Sequence, residues 1–429
     1  MPETPLKLIL DITPLMNGFW QDASRSGIFF VVKNLLVQFL SRENLDLYFY
    51  VSRRDAESRM RVERVLEREF PQELPQIRAG MTGKPLLRDR WLKFFAVMRE
   101  KYGDTVFLRG MNFLCRFLCR LLPCPNERIP EELCCDAYFL SLMYAVPEEV
   151  KKVIPPQRRC TLLYDALQSI LPGSEMDFWY RELISSLSNE ENYFAISASS
   201  AKDFSALFEP LKDKTIPVVL LAAAEHFKPV CDENRLEAVR RKYHIPSGKK
   251  IVFSHCSFSA NKNLERQLAA FCRFYRENPD WVMVFSGGNK SGRLQAMMQQ
   301  AGGEIPADAV VFTGYVDDAD LPGLFSIADI FTFVSLYEGF GLPVLEAMCC
   351  GCPVLTGNGS SLPEVAGDAA VLVDAESTDA IFDGLKKLAA DAELRQTLSA
   401  AGIARSRYFS WQKSADILLG HIRACCKRG

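Results

Sequence analysis

The sequence predicts an α/β fold of two Rossmann-like, doubly wound domains facing each other across a cleft, and three observations predict it. The chain has 429 residues, too many for one ordinary core and enough for two domains of roughly 200 residues each. Short continuous apolar runs such as LKLILD (6–11) and DWVMVFSGG (280–288) have the length and composition of strands buried on both faces. Each run leads into a polar or glycine-containing turn and then a helix-like segment, the order of a parallel sheet covered by helices.

In the first half, LKLILD passes through a polar loop to the helix-like GIFFVVKNLLVQFL (27–40), and LDLYFYVS (45–52) completes a strand-helix-strand unit. RRDAESRMRVERVLERE (53–69) is dense in charge and predicts a helix with a solvated face. Residues 85–125 interleave aromatic and aliphatic residues with more Arg and Lys than acids. They suit a helical insertion whose arginine stems lie over apolar neighbours, and they also suit an anionic bilayer surface. CTLLYDAL (160–167), NYFAISASSAKDFSALF (192–208) and IPVVLLAAAEHFKP (216–229) read as strand, strand-turn-helix and strand-loop units. The pattern restarts with KKIVFSHCSFSANKNLERQLAAFCRF (249–274) and continues through DWVMVFSGG, DAVVFTGYVDDADLPGLFSIADIFTFVS (308–335) and CPVLT (352–356). Residues 209–248, with Pro217, Pro229 and a charged run, suit a linker region. The expected division is therefore 1–212 for a first domain with a helical insertion around 85–125, 213–408 for a second, and 409–429 for a C-terminal helix.

Composition narrows the function. A hydrophobic content of 48% with 24% charged residues describes a folded globular chain. Basic and acidic residues number 51 and 53, so the overall balance gives no case for nucleic acid. No run reaches the ~18–20 apolar residues of a spanning helix, and MPETPLKLILDITPL lacks a basic segment followed by a long apolar one. A cytoplasmic location is expected, with peripheral contact on the inner face of the membrane left open. The 14 cysteines include the adjacent pairs Cys134-Cys135, Cys349-Cys350 and Cys425-Cys426 and show no paired zinc spacing. They are expected to be reduced, mostly buried thiols.

The chemistry concentrates in SLYEGFGLPVLEAMCCGCPVLT (335–356), where Glu338 and Glu346 stand eight positions apart around a glycine-rich elbow. Gly339 and Gly341 permit backbone approaches that a side chain blocks, and Pro343 suits the first turn of a helix that stops at Gly351. The N-terminus of that helix offers free amides and a partial positive charge to a phosphate or a hydroxyl-bearing ligand. Glu346 lies one turn inside it and Glu338 on the entering loop, so both carboxylates reach one bound molecule. Carboxylates repel phosphate and accept from hydroxyls; a sugar nucleotide offers both kinds of group.

The segment VVFTGYVDDADLPGLFSIADIFTFVSLYEGFGLPVLEAMCCGCPVLTGNGSSLPEVAGDAAVLVDAESTDAI (310–381) closely resembles the donor-binding domain of family 4 glycosyltransferases. These are retaining enzymes of the two-domain GT-B fold. The resemblance continues more weakly through SANKNLERQLAAF, SGG, DITPL, SGIFFVVKNLL, YDALQSILP and FAISASSAKDF, and covers most of the chain except about residues 53–155. It implies that Glu346 holds the ribose hydroxyls of the donor and that Glu338 lies by its hexose. It implies that the amides of Phe340, Gly341 and Leu342 contact the sugar or distal phosphate. Lys262 matches the family's diphosphate-binding lysine, Gly27 matches a glycine approaching the diphosphate from across the cleft, and Gly314, Tyr315 and Val316 lie where the family holds the base. The C-terminal helix is implied to cross back to the first domain.

Two positions depart from the family pattern. Many members carry an arginine six residues before the lysine, where this chain has Cys256 beside His255, and a thiol lacks the fixed donors and charge of a guanidinium. Arg25 or Arg266 are alternative cations. The family's His-Asp pair is here Tyr164-Asp165, so a role near the donor sugar falls to Asp165. The resemblance implies transfer of a hexose, mannose first, from a GDP- or UDP-sugar to a glycan or lipid-linked acceptor, with Lys262, Glu338 and Asp165 as the catalytic set. No cofactor or metal is expected. A catalytically weak scaffold and a nucleotide-sugar epimerase of similar architecture are the other readings.

Overall fold

The computed structural model describes residues 5–18, 27–52, 57–82, 87–102, 113, 129, 135–141, 144–171, 178–212, 214–287 and 309–427. Two parallel sheets organise them. Strands β1 (Leu6–Asp11), β2 (Leu45–Tyr50), β3 (Ala137–Leu140), β4 (Arg159–Leu163) and β5 (Asn192–Ala195) form the first, in the order β2-β1-β3-β4-β5. Strands β6 (Lys250–His255), β7 (Trp281–Ser286), β8 (Val310–Phe312), β9 (Ile330–Phe333), β10 (Val354–Gly357) and β11 (Ala370–Val373) form the second, in the order β11-β10-β9-β6-β7-β8. The chain reverses direction across each sheet, between β1 and β3 and between β6 and β9. In open α/β sheets such reversals leave a crevice at the carboxyl ends of the strands, where ligands bind.

Helices cover both sheets, and the central strands are buried on both faces. Residues Val282 to Phe285 of β7 are all buried, as are Leu8 to Leu10 of β1. Helix α1 (Gly27–Leu40) buries Phe29, Val31, Val32, Leu35, Leu36 and Phe39. Helix α2 (Ser58–Glu69) corrects the expectation of a merely solvated charged face: it buries Met60, Val62, Val65 and Leu66. Its charges pair with neighbouring elements, Glu69 with Lys33 at 2.6 Å and Glu67 with Arg78 at 2.9 Å and Lys93 at 2.5 Å. Lys93 belongs to α3 (Leu87–Tyr102), which buries Leu92 and Phe95 and exposes Trp91, Phe94 and Val97. Apart from α3 and Phe113, the expected insertion around 85–125 lies outside the described residues.

Other elements differ from expectation at single points. The strand expected within 216–229 is one bridge, Val218 to Ala195, because Pro217 supplies a carbonyl to Ala195 N–H at 2.9 Å but has no N–H to extend a ladder. Residues 209–248 contain a helix, Glu233–Lys242, whose Lys242 reaches Asp317 and Asp320 beside the second sheet, each at 2.6 Å. Helix α4 (Ala198–Leu207) follows β5 and starts at Ser197, whose Oγ accepts from Ser200 N–H at 3.0 Å. Helices α5 (Leu264–Glu277) and α6 (Leu342–Cys349) follow β6 and β9. Helix α7 (Trp411–Cys426) lies against the first half of the chain: Asp416 pairs with Arg42 at 2.6 Å, and Arg423 Nη2 donates to Asn44 O at 2.9 Å. The ten described cysteines are free thiols, and no helix among the described residues is long and apolar enough to cross a membrane.

Candidate active site

A cavity of about 820 Å³ opens between the two sheets, and its walls come from segments that follow the carboxyl ends of strands in both. Gly27 follows β1, Tyr164 and Asp165 follow β4, and Ile196 follows β5. From the second sheet come the segments 255–262 after β6, Gly287 after β7, Tyr315 to Asp318 after β8, and Glu338 to Glu346 after β9. Every expected site residue except Gly314 lines it. Gly314 lies just behind, at φ +68°, its carbonyl accepting from Gly287 N–H at 2.9 Å.

Lys262 is placed by a short loop held rigid at its far end. Asn263 adopts a left-handed backbone, φ +55°, which asparagine tolerates better than most residues. Its buried amide donates to Val334 O at 3.0 Å and Ala375 O at 2.6 Å, while Asn261 Nδ2 donates to Tyr337 O at 3.1 Å. These bonds tie the lysine loop to the loop after β9. As a result Lys262 Nζ sits 2.6 Å from Glu338 Oε1, with only 16% and 12% of the two side chains exposed. Burial opposes charge on Lys262, but the Glu338 carboxylate outweighs it and holds the ammonium above its ordinary value.

The glutamate loop turns sharply into α6. Gly341 has φ +110°, a conformation that side chains rarely adopt. Gly339 answers a close approach: a Cβ there would stand 2.8 Å from Tyr164 O and 2.9 Å from Asp165 Cβ, across the cleft. Ser361 Oγ donates to Glu338 O at 3.0 Å and Phe340 O at 2.8 Å, and Ser360 Oγ accepts from Glu338 N–H at 3.0 Å. Val344 and Leu345 N–H turn back to Gly341 O. The amides of Phe340, Gly341 and Leu342 donate to no acceptor among the described residues and edge the cavity beside Lys262 and Glu338. Three donors and a cation form a surface for anionic oxygen.

The remaining residues separate by charge. Glu346 is half-buried on the cavity wall; burial, followed by the charge of Asp318, pushes its carboxyl up to about 8, so it is mostly protonated at neutral pH. Asp165 is raised by burial too, and its Oδ1 accepts from Leu167 N–H at 3.1 Å. Burial drives His255 down to about 4; the neutral ring bonds Ser286 Oγ through Nδ1 at 2.7 Å and brings no charge to the site. The Cys256 thiol is pushed up to about 12, chiefly by burial, and is uncharged as well. Arg266 is spent on Asn263 Oδ1 at 2.9 Å, and Arg25 lies outside the described residues. Among the described lining residues Lys262 is the one lysine or arginine.

The contacts that bring the two halves together were not legible in the sequence. Tyr337 OH donates to Asp203 Oδ2 at 2.7 Å, Ser200 Oγ donates to Tyr164 O at 2.7 Å and Gly339 O at 3.2 Å, and Ala198 N–H donates to the Glu364 carboxylate at 2.9 Å. Each joins residues more than a hundred positions apart, except Ser200 to Tyr164, and none forms a local motif. Asp318 was hidden in the same way, as one of three acids in VDDAD.

Comparison with known proteins bears on the same region. The family model described as glycosyl transferases group 1 matches residues 236–405. The chain is 28% identical over 241 residues to O-antigen chain mannosyltransferase B of Escherichia coli, covering 56% of this chain and 62% of that one. It is 26% identical over 213 residues to a GDP-mannose-dependent alpha-(1-6)-phosphatidylinositol dimannoside mannosyltransferase of Mycobacterium tuberculosis, covering 49% and 52%. The matched stretch thus spans less than two thirds of either relative. The structure of Anabaena Alr3699/HepE in complex with UDP and glucose superposes with a TM-score of 0.64 at 14% identity, covering 97% of this chain and 99% of that one. That likeness is one of fold.

Proposed function

We propose, on the match of residues 236–405 to the family model described as glycosyl transferases group 1 and on the GT-B-like fold, that the protein is a retaining, metal-independent hexosyltransferase. It moves a sugar, mannose first, from a nucleoside diphosphate to a hydroxyl of a glycan or lipid-linked acceptor in polysaccharide, glycolipid or glycoconjugate synthesis. The observation that carries this reading is the Lys262–Glu338 pair at 2.6 Å beside three amides with no acceptor among the described residues. An incoming diphosphate competes for the Lys262 ammonium and releases Glu338 toward the hexose. Glu346, protonated, both donates to and accepts from the ribose diol. Gly27 faces open space, with no atom within 4 Å of a Cβ built there, and admits the diphosphate close to the backbone of α1.

In the transfer step the bond from the anomeric carbon to the distal phosphate oxygen breaks. Lys262 and the amides of Phe340, Gly341 and Leu342 stabilise the charge that develops on the leaving diphosphate. The acceptor oxygen attacks from the same face, its proton passing to the departing phosphate oxygen. Asp165 stands across the cleft, beside Gly339. Mannose is favoured by the two mannosyltransferase relatives and GDP by the mycobacterial one. The exposed Trp91, Phe94 and Val97 of α3 give a lipid-linked acceptor, and peripheral contact with the membrane that carries it, an apolar surface to meet.

The test is release of nucleoside diphosphate from a panel of GDP- and UDP-sugars, with and without chelator, by the wild type and by Glu338→Ala. Chelator-resistant turnover of one donor by the wild type is expected. A scaffold role is the second reading, favoured by the uncharged Cys256 and His255 where the family resemblance implies an arginine; failure to bind any donor sugar would favour it over the transferase.

A further inference from the structure

Resting on the reading of the cavity as a nucleoside diphosphate sugar site, we propose that Asp203 of α4 is a positioning residue for Glu338, holding Tyr337 from the first half so that the neighbouring carboxylate keeps its place when the donor takes its lysine partner. Tyr337 OH donates to Asp203 Oδ2 at 2.7 Å. Three positions earlier on the same face of α4, Ser200 Oγ donates to Gly339 O at 3.2 Å and to Tyr164 O at 2.7 Å. Ser197 Oγ donates to Ser200 Oγ at 3.1 Å, which leaves the Ser200 hydrogen to those two carbonyls. Glu338 lies between these anchors and is itself held by the second half, its N–H on Ser360 Oγ and its carbonyl on Ser361 Oγ, at 3.0 Å each. Residues 337, 338 and 339 are thus held in turn from opposite sides of the cleft.

The carboxylate of Glu338 is fixed by Lys262 Nζ at 2.6 Å. On the proposed mechanism an incoming diphosphate takes that ammonium, and from then on the place of the carboxylate depends on the backbone that carries it. Tyr337 suits the anchoring part: it is buried, and burial, followed by the bond to Asp203 and its charge, holds its hydroxyl above the ordinary value, protonated and donating. A catalytic group displaced by about 1 Å loses on the order of 100-fold in rate. The tether therefore acts on the chemical step more than on donor capture. Glu364 joins the two halves by a separate route: its carboxylate accepts from Ala198 N–H at 2.9 Å, at the start of α4. Deleting that bond loosens the halves without touching the bonds of Tyr337 or Gly339.

Steady-state release of nucleoside diphosphate, from whichever GDP- or UDP-sugar the wild type turns over, tests the assignment in Tyr337→Phe, Asp203→Ala, their double variant, Asp203→Asn and Glu364→Ala. Tyr337→Phe and Asp203→Ala are each expected to lower kcat by about 10- to 100-fold while the donor KM moves by less than about 3-fold, the mark of a misplaced catalytic group and not of a lost donor contact. The double variant is expected to lose no more than either single one, because both delete the same bond. Asp203→Asn, whose amide oxygen still accepts from Tyr337 OH, is expected to stay within about 3-fold of the wild-type kcat, and Glu364→Ala likewise. An unchanged kcat in Tyr337→Phe, additive losses in the double variant, or an equal loss in Glu364→Ala overturns the positioning role while leaving the donor site standing. A wild type that turns over no GDP- or UDP-sugar overturns the transferase reading and this one together.

Discussion

Glu346 shows what burial does to a single residue. Its carboxyl titrates near 8 in the folded protein against 4.5 ordinarily, so the folded state holds a proton that the unfolded chain releases earlier. Ionising it works against folding: the penalty is absent below about pH 4.5, grows as pH rises toward 8 and is complete above that. Glu346→Gln, which cannot ionise, is therefore predicted to match the wild type in stability at pH 4.5 and exceed it at pH 9. The difference is about 1–3 kcal/mol, smaller than the full shift implies because the side chain keeps some contact with the cavity. Melting curves across that range check it, and a difference independent of pH would contradict it. Lys262 and Glu338 were both named from their place in a motif, but their pairing was not, because it joins loops 76 positions apart.

The loops after β6 and β9 hold the site at the level of elements. Asn263 buttresses both, and Asn263→Gly keeps the left-handed backbone while deleting the two amide bonds to Val334 O and Ala375 O. We predict a loss of about 2–4 kcal/mol in denaturant unfolding, since two buried carbonyls lose partners that water does not replace. The long apolar runs at β1, α1, β2, β6 and β7 were legible because their own composition decides their state. Strands β3 and β11 were not: AYFL and AVLV are four residues each and become strands only by pairing beside β1 and β10. Helix α2 was half legible, since its charges were plain but the Lys33, Arg78 and Lys93 that meet them arrive from other elements. In the site, the glycine elbow and the helix behind it were readable from spacing, whereas the sorting of Asp318 from Asp317 and Asp320 depends on Lys242, some 75 residues earlier.

Across the whole molecule, the loop after β9 meets the loop after β4 at Gly339, where only hydrogen fits against Tyr164 O and Asp165 Cβ. Tyr337 to Asp203 and Ala198 to Glu364 hold the same face together. Gly339→Ala is predicted to push the two halves apart, because the added Cβ meets the backbone at Tyr164 O and no rotamer moves it away. Donor turnover should fall at least about 10-fold, with a much smaller change in thermal stability, because each half keeps its own sheet and core; unchanged turnover would contradict a requirement for this closed approach.

The account's central claim is that Lys262, Glu338 and the amides before α6 activate a nucleoside diphosphate sugar, and turnover measured on the wild type and Glu338→Ala addresses it most directly. The prediction is nucleoside diphosphate release from one GDP- or UDP-sugar that persists in chelator and is lost in Glu338→Ala. Equal turnover in the two proteins would contradict the role given to the glutamate loop, and a wild type that neither binds nor turns over any donor would contradict the transferase itself.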